Sequence, residues 1–332
     1  MAKPSGSTSI TVREAEYESF YRRLFSRSGF GFAALDGEGR IVQQARADTP
    51  ATEPDAIVAT ASSLVRRLAA HGEFEAVGVA CAGMIDAERS MVRFAPNIAW
   101  RDAPLRSMLE EQLNVPVVIE NDANAAAWGE FLYGPARDVA DMALITIGTG
   151  VGGGVVFDGE LMRGAYGIAG ELGHMRVVPG GHLCGCGNRG CWEQYASGSA
   201  LVRDAREVMR TAPGLARTLN ELAGNDPEAL EGPHVTKAAK EGDPASVELL
   251  SDLGRWIGEG AASIAAIIDP GMFVLGGGVA QAGDLLLEPA LAAFRRNLSG
   301  RGYRPEATWA LAGLGNDAGL IGAAALARRE KR

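Results

Sequence analysis

Short apolar runs alternate with amphipathic stretches from about residue 30 to the C-terminus, and nothing else in the chain constrains its fold as much. Strand-type runs are FGFAALD (30–36), AVGVACAG (76–83), VPVVIE (115–120), MALITIGTG (142–150), GGGVVFDG (152–159) and MFVLGGG (272–278). Helical patterns occupy 55–71, 104–113, 123–134, 199–210, 245–268, 286–298 and 317–330. Strands separated by helices pair mostly in parallel, so the class is α/β, and the Gly-rich hairpin adds an antiparallel part. The pattern restarts near residue 142, which points to two lobes. Residues 211–243 are charged and rich in Gly and Pro, and read as a surface excursion.

A chain of 332 residues, 47% of them apolar, can bury a substantial core. Its 41 acidic and 32 basic residues leave a charge of −9, which argues against nucleic acid as a partner. No apolar run is long enough to span a bilayer, and the first twenty residues lack the apolar centre of a secretory signal. A cytoplasmic location is the expectation. In that reducing setting, crowded cysteines bind metal or do redox chemistry more often than they form disulfides.

Cysteines are crowded in HLCGCGNRGC, where Cys184, Cys186 and Cys191 stand among small turn-forming residues. A structural zinc ion needs a fourth ligand, and His174 and His182 are the candidates. His182 is only two residues from Cys184, which strains a chelate ring, whereas His174 can return on a loop. A closed site would make 174–191 one rigid unit and hold Glu171 and Glu193 at its two ends. Free thiols in a glycine turn are the plainer alternative. Cys81 has no neighbouring ligand and reads as a core residue.

Two further segments carry chemistry. VPVVIENDANAAAWGE is a strand running straight into a helix, with Asn121 and Asp122 at the junction. Ligands of open α/β sheets bind beyond such strand ends. Either residue can also be a simple helix cap. An acid there, as in CAGMID with Asp86, can take a proton from a sugar hydroxyl during phosphoryl transfer. The glycine turns ITIGTGVGGGVV, with Thr149 and Gly150, and FVLGGG, with Gly276, Gly277 and Gly278, can aim backbone N–H groups at an anion. Neither has Rossmann or Walker spacing.

ENDANAAAWGE, ITIGTGVGGG, GELGH, CGCGNRGCWEQYASG and LGGGV occur in the order found in the ROK family of repressors and sugar kinases. The chain resembles that family from about residue 32 onward, most of all its actinomycete glucokinase branch. The resemblance implies a two-lobed, actin-like fold, with 1–120 and 315–332 in one lobe and 121–314 in the other. It implies an ATP-dependent hexose kinase acting on the 6-hydroxyl of glucose, with Mg2+ accompanying ATP. Asp122 would be the base, and Asn97, Asn121, Glu171, His174 and Glu193 would hold the sugar. His174, Cys184, Cys186 and Cys191 would bind structural zinc. ATP phosphates would lie at Thr149 and Gly150, and adenosine near Gly276–Gly278. A homodimer or homotetramer is implied as well. A kinase for another hexose, such as N-acetylmannosamine, or a sugar-binding sensor of impaired activity are the alternatives.

One segment departs from the pattern. Kinases of the family open with a strand and an acidic Gly-Gly-Thr-Lys turn around the ATP phosphates. LFSRSGFG (24–31) stands there instead, without Asp, Gly-Gly, Thr or Lys. Slow phosphate transfer with intact glucose binding is the expectation.

Overall fold

The computed structural model describes residues 29–36, 40–48, 54–69, 75–95 and 100–330. Asn97 and positions 24–28 of the atypical loop lie outside the described residues. In chain order the elements are β1 (Gly29–Leu35), β2 (Ile41–Asp48), α1 (Pro54–Ala69), β3 (Val77–Cys81), β4 (Met84–Ile85), β5 (Val92–Phe94) and β6 (Arg101–Ala103). Next come α2 (Leu105–Leu113), β7 (Val117–Asn121), α3 (Asp122–Tyr133), β8 (Met142–Ile147), β9 (Val151–Phe157) and β10 (Glu160–Leu161). The remainder is α4 (Glu193–Ala196), α5 (Gly198–Thr211), α6 (Arg217–Leu222), α7 (Gly232–Lys240), α8 (Pro244–Ile268), β11 (Met272–Gly276), α9 (Asp284–Asn297), β12 (Thr308–Leu311) and α10 (Ala318–Glu330).

The alternation reads correctly as a mixed α/β protein. A five-stranded sheet has the order β10-β9-β8-β11-β12, parallel across β8, β11 and β12 and antiparallel through the glycine hairpin. Its central strands are buried on both faces, which is why MALITI and MFVLG are continuously apolar. A second core holds the parallel pair β3-β7, with Cys81 opposite Asn121. One apolar cluster lies within residues 57–119 and another within 143–298, so two cores form separately. A third cluster, which includes Val118, Trp128, Leu144 and Leu326, joins them.

The helices α3 and α10 cross at that joint with unusually little space between backbones. A Cβ on Gly129 would lie 2.6 Å from the Ala318 carbonyl oxygen, and one on Gly322 would strike the Ala125 carbonyl. Glycine on both helices is therefore a steric requirement at this contact. The chain also crosses between cores at Gly313 and Leu314. Both backbone N–H groups there donate, at 2.9 Å each, to the buried carboxylate of Glu130 on α3.

The surface excursion is corrected. Residues 211–243 contribute α6 and α7, and bury Leu219, Leu230, Val235 and Ala238 in the larger core. Gly and Pro serve here as helix starts: Pro233 follows Gly232 in the first turn of α7. Three short strands, β4 to β6, and the edge strand β12 are only 2 to 4 residues long, too short for a period-two pattern to stand out in the sequence.

Candidate functional site

The strand-to-helix junction is built by Asn121. Its side-chain oxygen accepts from Ala123 N at 2.9 Å and Asn124 N at 3.0 Å, so Asn121 is the cap of α3. Its amide nitrogen donates to Gly83 O at 3.1 Å, which leaves one amide hydrogen for a ligand. Asp122, one position on, is thereby relieved of capping. Its carboxylate is reached by water, yet protein closes around it. The resulting desolvation raises its pKa, against the pull of the Ala123 N–H. Cys81, across the strand pair, is buried as expected. Its thiol is pushed up to about 12 by burial and then by the charge of Asp122.

Glu171 and His174 sit on either end of a single 3-10 turn, Leu172–His174, which follows the glycine hairpin. The carboxylate of Glu171 lies 4.0 Å from His174 Nε2. Burial raises the Glu171 pKa, His174 lowers it, and the charges of Asp122 and Glu193 raise it further. These effects require the three carboxylates to share one neighbourhood. Glu193 is placed by its predecessor: Trp192 is fully buried, packs where Gly260 of α8 leaves room, and donates to Trp256 O at 2.8 Å. A Cβ on Gly150 would lie 2.7 Å from the Glu193 carboxylate, so the shelf abuts the hairpin turn.

The other ring nitrogen of His174 faces the cysteines. Nδ1 is 3.6 Å from Cys184 Sγ, and Cys186 and Cys191 are also 3.6 Å apart, sulfur to sulfur. The four donor atoms lie within 4.8 Å of one another. Ligands of a tetrahedral Zn–S site are about 3.7 Å apart, so the set fits a zinc ion. His182 is exposed and packs at a tilt of 44° against Tyr195, ring centroids 5.3 Å apart, outside the cluster. All four cysteines are free thiols.

Three turns converge beyond β8. Gly277 has φ +86°, and a Cβ there would lie 2.6 Å from Ile147 N. Gly198 N donates to Gly148 O at 2.8 Å, which brings the start of α5 against the turn carrying Thr149 and Gly150. Thr149 is exposed and Gly278 borders open space. The two predicted glycine turns are thus adjacent. The α5 start, capped by Ser197, is a third wall that the sequence reading missed although its Ser-Gly-Ser is a visible capping signal. Asp86 does not join the site. It binds Ser90 N at 2.7 Å, Ser90 Oγ at 2.8 Å and Met91 N at 3.0 Å. Burial opposes its ionisation, but these bonds prevail and its pKa is lowered.

The model of the ROK family matches residues 27–330. The chain belongs to the ROK family. It is 46% identical over 294 residues to a glucokinase of Streptomyces coelicolor, covering 89% of this chain and 92% of that protein. A ROK glucokinase from Streptomyces griseus, solved with glucose and AMPPNP, superposes with a TM-score of 0.84 at 45% identity, covering 92% of this chain and 97% of that one. The xylose repressor of Bacillus subtilis is 33% identical over 227 residues, covering 68% of this chain and 53% of the repressor. The fold is accordingly the two-lobed, actin-like fold of ROK sugar kinases.

Proposed function

We propose that this ROK protein is an ATP-dependent glucokinase. One observation carries the reading: a carboxylate with raised pKa at a strand end, Asp122, flanked by the shelf Glu171–His174–Glu193 and by paired glycine turns. The similarity to the Streptomyces glucokinases supports glucose and ATP as substrates. Glu171, Glu193, His174 Nε2 and the remaining Asn121 amide hydrogen are the groups that would bond sugar hydroxyls, with Asn97 as a further contact. Asp122 would accept the 6-hydroxyl proton as that oxygen attacks the γ-phosphorus. Phosphoryl transfer is mainly positioning and charge stabilisation. Backbone N–H groups around Thr149 and Gly150 would face the phosphates, and Gly276–Gly278 the adenosine, where side chains would obstruct approach. Mg2+ would enter with ATP and neutralise phosphate charge.

Zinc, held by His174, Cys184, Cys186 and Cys191, would be structural. It would fix the His174 ring with Nε2 toward the sugar side. The lobes divide at 120/121 and 314/315 in this reading, a division supported by the β3-β7 pairing and the Glu130 clamp. The protein would work in the cytoplasm as a homodimer or homotetramer; among the described residues no helix is long and apolar enough to cross a membrane. A matrix of donors (ATP, ADP, polyphosphate) against sugars (glucose, mannose, N-acetylmannosamine) on purified protein tests the assignment. ATP with glucose should give the highest kcat/KM.

A sugar-binding sensor is the second reading, favoured by the sequence LFSRSGFG. Glucose calorimetry beside a coupled assay separates the two: heat of binding without turnover selects the sensor.

A further inference from the structure

We propose that Glu120 and Arg163 are positioning residues that hold the sugar shelf at a set distance from Asp122. The inference rests on the glucokinase reading. Glu120 is fully buried and immediately precedes the Asn121–Asp122 junction. Its two oxygens face different structures. Oε1 accepts from Asn121 N at 2.9 Å and Asn124 Nδ2 at 3.3 Å, gripping the start of α3. Oε2 receives Arg89 Nε at 2.9 Å and lies 2.8 Å from Arg163 Nε, the latter an ion pair without hydrogen-bond alignment.

Arg163 comes from the other core, two residues after β10. It donates to Ala87 O at 2.6 Å and Asp86 O at 2.8 Å, so its planar fork grips one turn of the smaller core. The loop it begins docks a second time at Gly167. That residue has φ +82°, and a Cβ there would lie 2.5 Å from the Asp86 carbonyl carbon. Asp86 stiffens the receiving turn through its bonds to Ser90 and Met91. The far end of the loop is Glu171. One buried carboxylate therefore touches the base-bearing junction with one oxygen and the shelf-bearing loop with the other.

Apolar side chains of similar volume would hold two surfaces together at least as well as a buried ion pair. The charged arrangement adds fixed direction and distance. In a reaction governed by positioning, a shift of about 1 Å can cost on the order of 10²-fold in rate. Glu120 and Arg163 themselves are kept from substrate by burial and by their partners.

The test is steady-state kinetics of Arg163→Met, Arg163→Lys, Glu120→Gln and the double variant Glu120→Gln/Arg163→Met. Arg163→Met should raise KM for glucose and lower kcat by at least about tenfold each, with KM for ATP nearly unchanged. Arg163→Lys should recover part of the loss, since lysine restores the charge but not the fork. The double variant should lose no more than the worse single, the mark of coupled groups. A merely structural pair would lower Tm and active fraction while leaving KM for glucose intact. Unchanged glucose KM in Arg163→Lys and Arg163→Met, or in Arg163→Lys alone if the Met variant does not fold, overturns the inference, as do additive losses. A parent chain that phosphorylates no hexose overturns the functional reading instead.

Discussion

Asp122 can be a base because Asn121 takes the capping task. The Asn121 side chain satisfies the first N–H groups of α3, and the Asp122 carboxylate is engaged by its own N–H and that of Ala123. Asp122→Asn keeps size and polarity but removes the proton acceptor. Turnover should fall by at least ~10²-fold, with glucose affinity from calorimetry changing far less. The raised pKa sets two further signs. The base must be ionised, so kcat/KM should fall as pH drops through a value above the ordinary carboxylate pKa of about 3.9. The folded state also binds this proton more tightly than the unfolded chain. Asp122 therefore costs stability as pH rises through its folded pKa, and the Asn variant should be no less stable than the parent at neutral pH. Lower thermal stability of the variant there would contradict that sign.

At the scale of elements, rigidity comes from two devices. The first is the segment 174–191, where small residues let four donor atoms gather. Cys186→Ser should cut zinc below one ion per chain by elemental analysis, and should weaken both stability and glucose binding, because Glu171 and Glu193 are anchored to the same unit. Full zinc or parental glucose affinity would break the assignment. The second is the glycine contact of α3 and α10. Gly322→Val should cost about 1–3 kcal/mol in denaturant unfolding, since the new carbon meets the Ala125 backbone rather than a flexible side chain. Gly214, with open space and no positive φ, should accept alanine with no comparable loss.

At the scale of the whole molecule, the two cores are joined close to the proposed sugar site. Arg163 and Glu120 tie the two cores, while Glu130 clamps the chain at Gly313 and Leu314. On the phosphate side, LFSRSGFG lacks in sequence the Gly-Gly-Thr-Lys turn of the family's kinases. Exchanging residues 20–31 for a strand followed by an Asp-Ile-Gly-Gly-Thr-Lys turn should raise kcat with ATP and leave the glucose Kd unchanged. Equal kcat in parent and exchange would mean that the turns at Thr149 and Gly276–Gly278 suffice for the donor.

Local information carried much of this. Period-two and period-3.6 apolar patterns marked the main strands and helices within a few residues, because burial acts on each element separately. The cysteine spacing, the acidic junction and the glycine turns were legible because their chemistry needs particular residue types close together in the chain. His174, preferred from the sequence because His182 is only two residues from Cys184, faces the thiols where the 3-10 turn aims its Nδ1, while His182 leans on Tyr195. Two matters were decided only by the folded whole. Residues 211–243 joined the core because Leu219, Leu230 and Val235 found apolar neighbours far away in sequence. Glu120 read as one more strand residue, since a carboxylate can be buried there only when Arg89 and Arg163, distant in the chain, converge to offset its desolvation.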